Sequence, residues 1–187
     1  DIYRPYRPKR RTRATIAKEK GLEPLASILY LQQSFKGTIE DLVKPYLNPD
    51  KEVNSVEDAL NGAMDIIAED ISDNAEYRKA IREMFFRHGM VVVNGKKEED
   101  SVYRMYYDFK EPVSRIANHR VLAINRGEKE DFLKVKIEVP DEQIVQYLKT
   151  MTVRKPPSLT SVYVEKAAQD SYERLIYSSV ENEVRNE

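Results

Sequence analysis

Apolar residues recur every three to four positions through most of this chain, the spacing that lines one face of an α-helix. Val56, Ala59, Leu60, Ala63, Met64, Ile67 and Ile71 predict a long helix that Ser55-Val56-Glu57-Asp58 opens. Tyr77, Ala80, Ile81, Met84, Phe85 and His88 mark the next, and Gly89 stands where a left-handed C-cap would end it. Upstream, Gly21-Leu22-Glu23-Pro24 breaks the chain before a short helix through Leu25, Ile28 and Leu29, which Gly37 ends. Thr38-Ile39-Glu40-Asp41 has the pattern of an N-cap, leading into Leu42 and Val43.

Downstream, Val102, Tyr103, Tyr106, Tyr107 and Phe109 predict an aromatic-rich helix limited by Pro112. Ile116, Ala117, Val121 and Ile124 predict another over about 114–125, with Arg126 beside its last carbonyls and Gly127 supplying a left-handed turn. Pro140-Asp141 opens a helix through Ile144, Val145 and Leu148. Arg154-Lys155-Pro156-Pro157-Ser158 reads as a linker, and a last helix runs from about Ser158 to the end.

A period of two interrupts this pattern. Leu133, Val135, Ile137 and Val139 alternate with Lys134, Lys136 and Glu138, as in a half-buried strand. Met90-Val91-Val92-Val93, followed by Asn94-Gly95 as a turn, is its evident partner. The expected fold is therefore mainly α, a multi-helix region with a small two-stranded β element.

Composition narrows the function. A chain of 187 residues, 41% hydrophobic and 34% charged, suits a soluble, charge-rich helical protein. The absence of Cys removes disulfides, thiolate nucleophiles and Cys-based zinc sites. No apolar run approaches the roughly 20 residues that span a bilayer, so the expectation is a cytoplasmic protein without membrane contact. GxGxxG, Walker, HExxH and GxSxG motifs are all missing, and His88 and His119 lie on separate predicted helices. Neither an enzyme nor a cofactor is expected.

The net charge of −1 conceals a segregation. In positions 1–20, Arg4, Arg7, Lys9, Arg10, Arg11, Arg13, Lys18 and Lys20 face only Asp1 and Glu19, while positions 38–75 carry ten acids against Lys44 and Lys51. Guanidinium forks match phosphate oxygens in pairs, and Tyr3 and Tyr6 offer rings for stacking. The same bases could instead pair with the acidic helices. Arg120 and Arg126 have a similar double reading: helix termination and salt bridging explain their spacing, and a phosphate-binding surface shared with the arm is the alternative.

Tyr3-Arg4-Pro5-Tyr6-Arg7-Pro8-Lys9-Arg10-Arg11-Thr12-Arg13-Ala14-Thr15-Ile16-Ala17, followed by Gly21-Leu22-Glu23-Pro24-Leu25-Ala26, resembles the N-terminal part of the bacterial Tex family of transcription accessory proteins. Asn118-His119-Arg120-Val121-Leu122-Ala123-Ile124-Asn125-Arg126-Gly127-Glu128-Lys129-Glu130 is similar to that family's central-region signature. Tyr172-Glu173-Arg174-Leu175-Ile176 with Ser179-Val180-Glu181-Asn182-Glu183-Val184-Arg185 is similar to the helix leading out of it. Ser178 stands where the family often has proline, which leaves open whether the last helix breaks there.

The resemblance implies a fragment. Members of the family also carry an RNase H-like YqgF domain, a helix-hairpin-helix module and a C-terminal OB-fold RNA-binding domain, none of them recognisable here, and their nucleic-acid affinity is associated chiefly with the OB-fold. A start without Met and an end inside a helical pattern agree with a piece of a longer protein. The expected organisation is a basic arm over 1–20, a helical region with its β element over 21–153, and a linker with the final helix over 154–187. The expected function is non-catalytic association with RNA or DNA, without sequence specificity, and with the transcription machinery. Its candidate residues are Arg4, Arg7, Lys9, Arg10, Arg11, Arg13, Lys18, Arg120 and Arg126. The alternative is a helical scaffold that binds protein and no nucleic acid of its own.

Overall fold

The computed structural model describes residues 11–96 and 102–186. Its backbone divides into two compact units, one made of residues up to Asp73 with Tyr147–Glu173, the other of Asn74–Gln146 with the residues from Arg174 onward.

The first unit is helical. Its elements are α1 (Arg13–Glu19), α2 (Glu23–Leu31), α3 (Ile39–Val43) and α4 (Val56–Asp73), joined by the helix α8 (Ser161–Asp170). Ser55 accepts from the Asp58 N–H at the start of α4, and Thr38 and Asp41 cap each other's backbone at the start of α3, as their sequence patterns predict. α4 is the centre of the unit. Its Ala59, Leu60, Ala63, Ile66, Ile67, Ala68 and Ile71 are buried, against α1, α2 and α8. One polar side chain ties this core together: Gln32, buried and left-handed at the end of α2, donates to the Thr152 carbonyl at 2.8 Å. Its oxygen accepts from the Arg154 N–H at 2.9 Å and from Ser161 Oγ at 2.8 Å.

The second unit joins helices to a sheet. α5 (Ala75–His88) leads into β1 (Met90–Gly95), which lies between β2 (Phe109–Pro112) and β3 (Leu133–Glu138) in an antiparallel sheet of order β2-β1-β3. α6 (Asn118–Lys129) packs on β3, and α9 (Tyr177–Arg185) on α5, where Phe85 and Tyr177 stack tilted at 5.7 Å. α7 (Asp141–Thr152) follows β3. The pairing of β1 with β3 that alternation predicts is present, from Met90 opposite Glu138 to Gly95 opposite Leu133.

Three local expectations are corrected, while the last helix stands close to its expected bounds. The aromatic segment is not a helix: Arg104–Tyr106 forms a single 3-10 turn, Asp108 has φ of 57°, and Phe109–Pro112 pairs with β1 as a third strand. Tyr103 and Tyr106 still enter the core, beside Val93, Ile124, Leu133 and Val135. Asn94-Gly95 continues β1 instead of turning, because both residues pair with β3. Gly89 ends α5 with an extended backbone, φ −74° and ψ 148°, and a Cβ on it would lie 2.2 Å from the Phe85 carbonyl oxygen. The last helix begins at Ser161, widens into a π-helical turn over Ser171–Ile176, and passes Ser178 unbroken.

Candidate nucleic-acid interface

The basic segment becomes ordered structure at a reciprocal cap. Thr12 Oγ1 accepts from the Thr15 N–H at 3.1 Å while Thr15 Oγ1 accepts from the Thr12 N–H at 2.7 Å, which starts α1. Thr12 Oγ1 also donates to Glu69 of α4 at 2.8 Å. Ala14 and Ala17 bury the inner face of α1 against α4. The helices approach closely because Gly62 has no side chain: a Cβ there would sit 2.3 Å from Leu22 Cδ1 and 3.4 Å from the Ala17 Cβ.

This anchoring leaves Arg11, Arg13 and Lys18 exposed. Arg11 pairs with Glu19 at 2.7 Å, and with the two side chains 68% and 60% exposed, the pair contributes about 0 to 1 kcal/mol. Arg13 lines a shallow depression with Glu52, Asp58 and Asp65. Lys18 acts on Asp70, whose carboxyl is held above the ordinary range by partial loss of solvent; Lys18 opposes that rise, and Asp73, Glu69 and Glu23 add to it. The described bases of the arm thus border an acidic helix. Arg4, Arg7, Lys9 and Arg10 lie outside the described residues.

Arg120 and Arg126 belong to α6, in the other unit. The Arg120 guanidinium lies 3.3 Å from Glu111 Oε2 and 5.6 Å from the Phe109 ring centroid, a salt bridge combined with a cation–π contact. Arg126 is exposed in the last turn of α6 and has no ion pair among the described residues. Gly127 is a correction. It lies inside the helix, buried, and the left-handed residue is Asp131 with φ of 67°. A Cβ on Gly127 would meet Leu133 Cδ1 at 2.4 Å and Tyr103 Cδ1 at 3.1 Å, so packing, and not a turn, requires glycine there.

Among the described residues no group of His, Asp and Glu could hold a metal ion. His88 and His119 are exposed at the end of α5 and near the start of α6. Three basic positions outside the original candidates share one side of the sheet: Lys110, Lys134 and Lys136. The alternation of β3 exposes Lys134 and Lys136, whereas Lys110 was hidden by reading its segment as helix.

The sequence model for the Tex central region-like family matches residues 36–187. This chain belongs to the Tex family. It is 44% identical over 192 residues to YdcI of Bacillus subtilis (strain 168), an alignment covering 100% of this chain and 26% of that protein. It is 31% identical over 194 residues to the transcriptional accessory protein Tex of Neisseria gonorrhoeae, covering 100% and 25%. The human S1 RNA-binding domain-containing protein 1 is 26% identical over 192 residues, covering 93% of this chain and 19% of that protein. The chain therefore spans about a quarter or less of these relatives' length. Among the described residues of this Tex-family chain, no helix is long and apolar enough to cross a membrane.

Proposed function

We propose that this chain is a non-catalytic central part of a transcription accessory protein and contributes an electrostatic, sequence-nonspecific contact to RNA or DNA. The observation that carries the reading is α1: it docks through Ala14 and Ala17, so Arg11, Arg13 and Lys18 take no part in its buried face and keep their charge at the surface. The names of the relatives, a transcriptional accessory protein and an S1 RNA-binding domain-containing protein, support it. On this reading the protein works in the cytoplasm with the transcription machinery.

Titration with duplex and single-stranded oligonucleotides at several salt concentrations tests the proposal. Four to six phosphate contacts give log K against log salt a slope of about −4 to −5. Binding that is undetectable, or indifferent to salt, overturns it. A second reading, a scaffold without nucleic-acid affinity of its own, is favoured by the acids Asp58, Asp65 and Asp70 of α4 beside the bases of α1. In that case the folded chain does not bind either oligonucleotide.

A further inference from the structure

Residues paired across antiparallel strands project to the same face, so the register assigns every side chain of the sheet. Phe109, Val93 and Val135 form one row, and Glu111, Val91 and Ile137 the next. This face is covered by α6, as the Arg120–Glu111 pair and the burial of Ile124 against Val93 and Val135 require. The opposite face carries Lys110, Val92 and Lys136 in one row, Asn94 and Lys134 beyond it, and Pro112, Met90 and Glu138 on the near side.

That second face is open. The Lys110 and Lys136 side chains are each 54% exposed, and Lys134 is exposed without an ion pair among the described residues. With strands about 4.8 Å apart and about 3.4 Å per residue, the three lysine backbones cover an area roughly 10 Å by 7 Å. Glu138 is the acid set among them: its carboxylate lies 3.2 Å from Lys110 Nζ and 3.8 Å from Lys136 Nζ. Among the described residues of the three paired strands, three ammonium groups against one carboxylate leave two positive charges on this face. Val92 and Met90 between them are aliphatic, so among the described residues of the paired strands the face offers charge and no aromatic ring on which a base could stack.

We propose that this open sheet face contacts the phosphate backbone of a nucleic acid through Lys110, Lys134 and Lys136, and that Glu138 holds two of these lysines until phosphates replace it. The inference rests on the nucleic-acid reading above and adds a contact on the unit that does not contain α1. Because ammonium groups on phosphate oxygens carry no sequence information, the contact is indifferent to sequence.

The test measures binding of the whole chain to a single-stranded oligonucleotide, its duplex and poly-glutamate at several salt concentrations. The variants are the triple K110Q/K134Q/K136Q and, separately, E138Q. The triple variant is expected to lower the steepness of the duplex salt dependence by about two to three, near 0.9 for each lost contact. E138Q, which removes the competing carboxylate, is expected to tighten binding severalfold at low salt, with melting close to that of the parent in both variants. A parent that binds with neither variant altered overturns the sheet contact while leaving nucleic-acid association standing. A parent that binds no oligonucleotide overturns both. Poly-glutamate bound as tightly as the oligonucleotides overturns the assignment to phosphate in favour of an acidic protein segment.

Discussion

At Gly127 the identity of one residue is set by another element: Leu133 of β3 fills the space that a side chain would take. Gly127→Ala should lose about 1 to 3 kcal/mol, read as a lower urea midpoint, because Leu133 is fully buried and cannot step aside. Sequence reading put a turn at this glycine, since it shows that glycine is present but not which atoms crowd it. Gln32 was missed for the same reason, as its partners at 152, 154 and 161 lie more than 100 positions away. Tyr177 makes a further prediction. Its hydroxyl lies 2.5 Å from the Ile137 carbonyl oxygen and 2.7 Å from Glu181 Oε2; burial first, then the Glu181 hydrogen bond and charge, push the phenol well above its ordinary value of 10.0. Below that value the phenol is neutral in folded and unfolded chains, and its bonds stabilise in full. As pH rises further the unfolded chain ionises first and stability falls. Tyr177→Phe should therefore cost about 1 kcal/mol at neutral pH, and the gap between variant and parent in denaturant titrations should narrow above that value.

Among the elements, α4, α5 and β3 were legible because their buried faces repeat within one segment, at 3.6 residues in the helices and two in the strand. β2 was not legible. Its aromatic spacing suits a helix, and what decides for a strand is the free edge of β1, a partner nearly 20 positions away that satisfies its backbone groups. α5 depends on a contact of the same long-range kind. Phe85 is fully buried and stacks on Tyr177, so Phe85→Ala should cost about 3 to 5 kcal/mol in urea unfolding, far more than truncation of the exposed Leu122 on α6.

For the molecule as a whole, the charge segregation seen in the sequence is partly taken up within the fold. The bases of α1 stand beside the acids of α4, a neighbourhood the two charge counts suggested but could not locate, since α1 meets α4 through alanines and a glycine. The variant R11A/R13A/K18A separates the two roles. It should lower the oligonucleotide salt slope by about two to three while its thermal midpoint stays close to the parent's, as exposed changes usually stay within about 0.5 kcal/mol. A large drop in the midpoint with an unchanged slope would assign these bases to the fold.

The π-helical turn of the last helix acts as a phase correction. Val164, Ala168, Tyr172, Ile176, Val180 and Val184 are all buried, at a constant interval of four residues. In a regular α-helix each such step overshoots a full turn by about 40°, so five steps would carry the stripe about 200° round the axis, from one side of the rod to the other. Ser171–Ile176 fits more residues into its turn and takes up part of that drift midway. The side chain at exposed Glu173 is thus free to vary, but the number of residues through this turn is not: one more or one fewer would break the four-residue interval at which the helix's own buried positions recur.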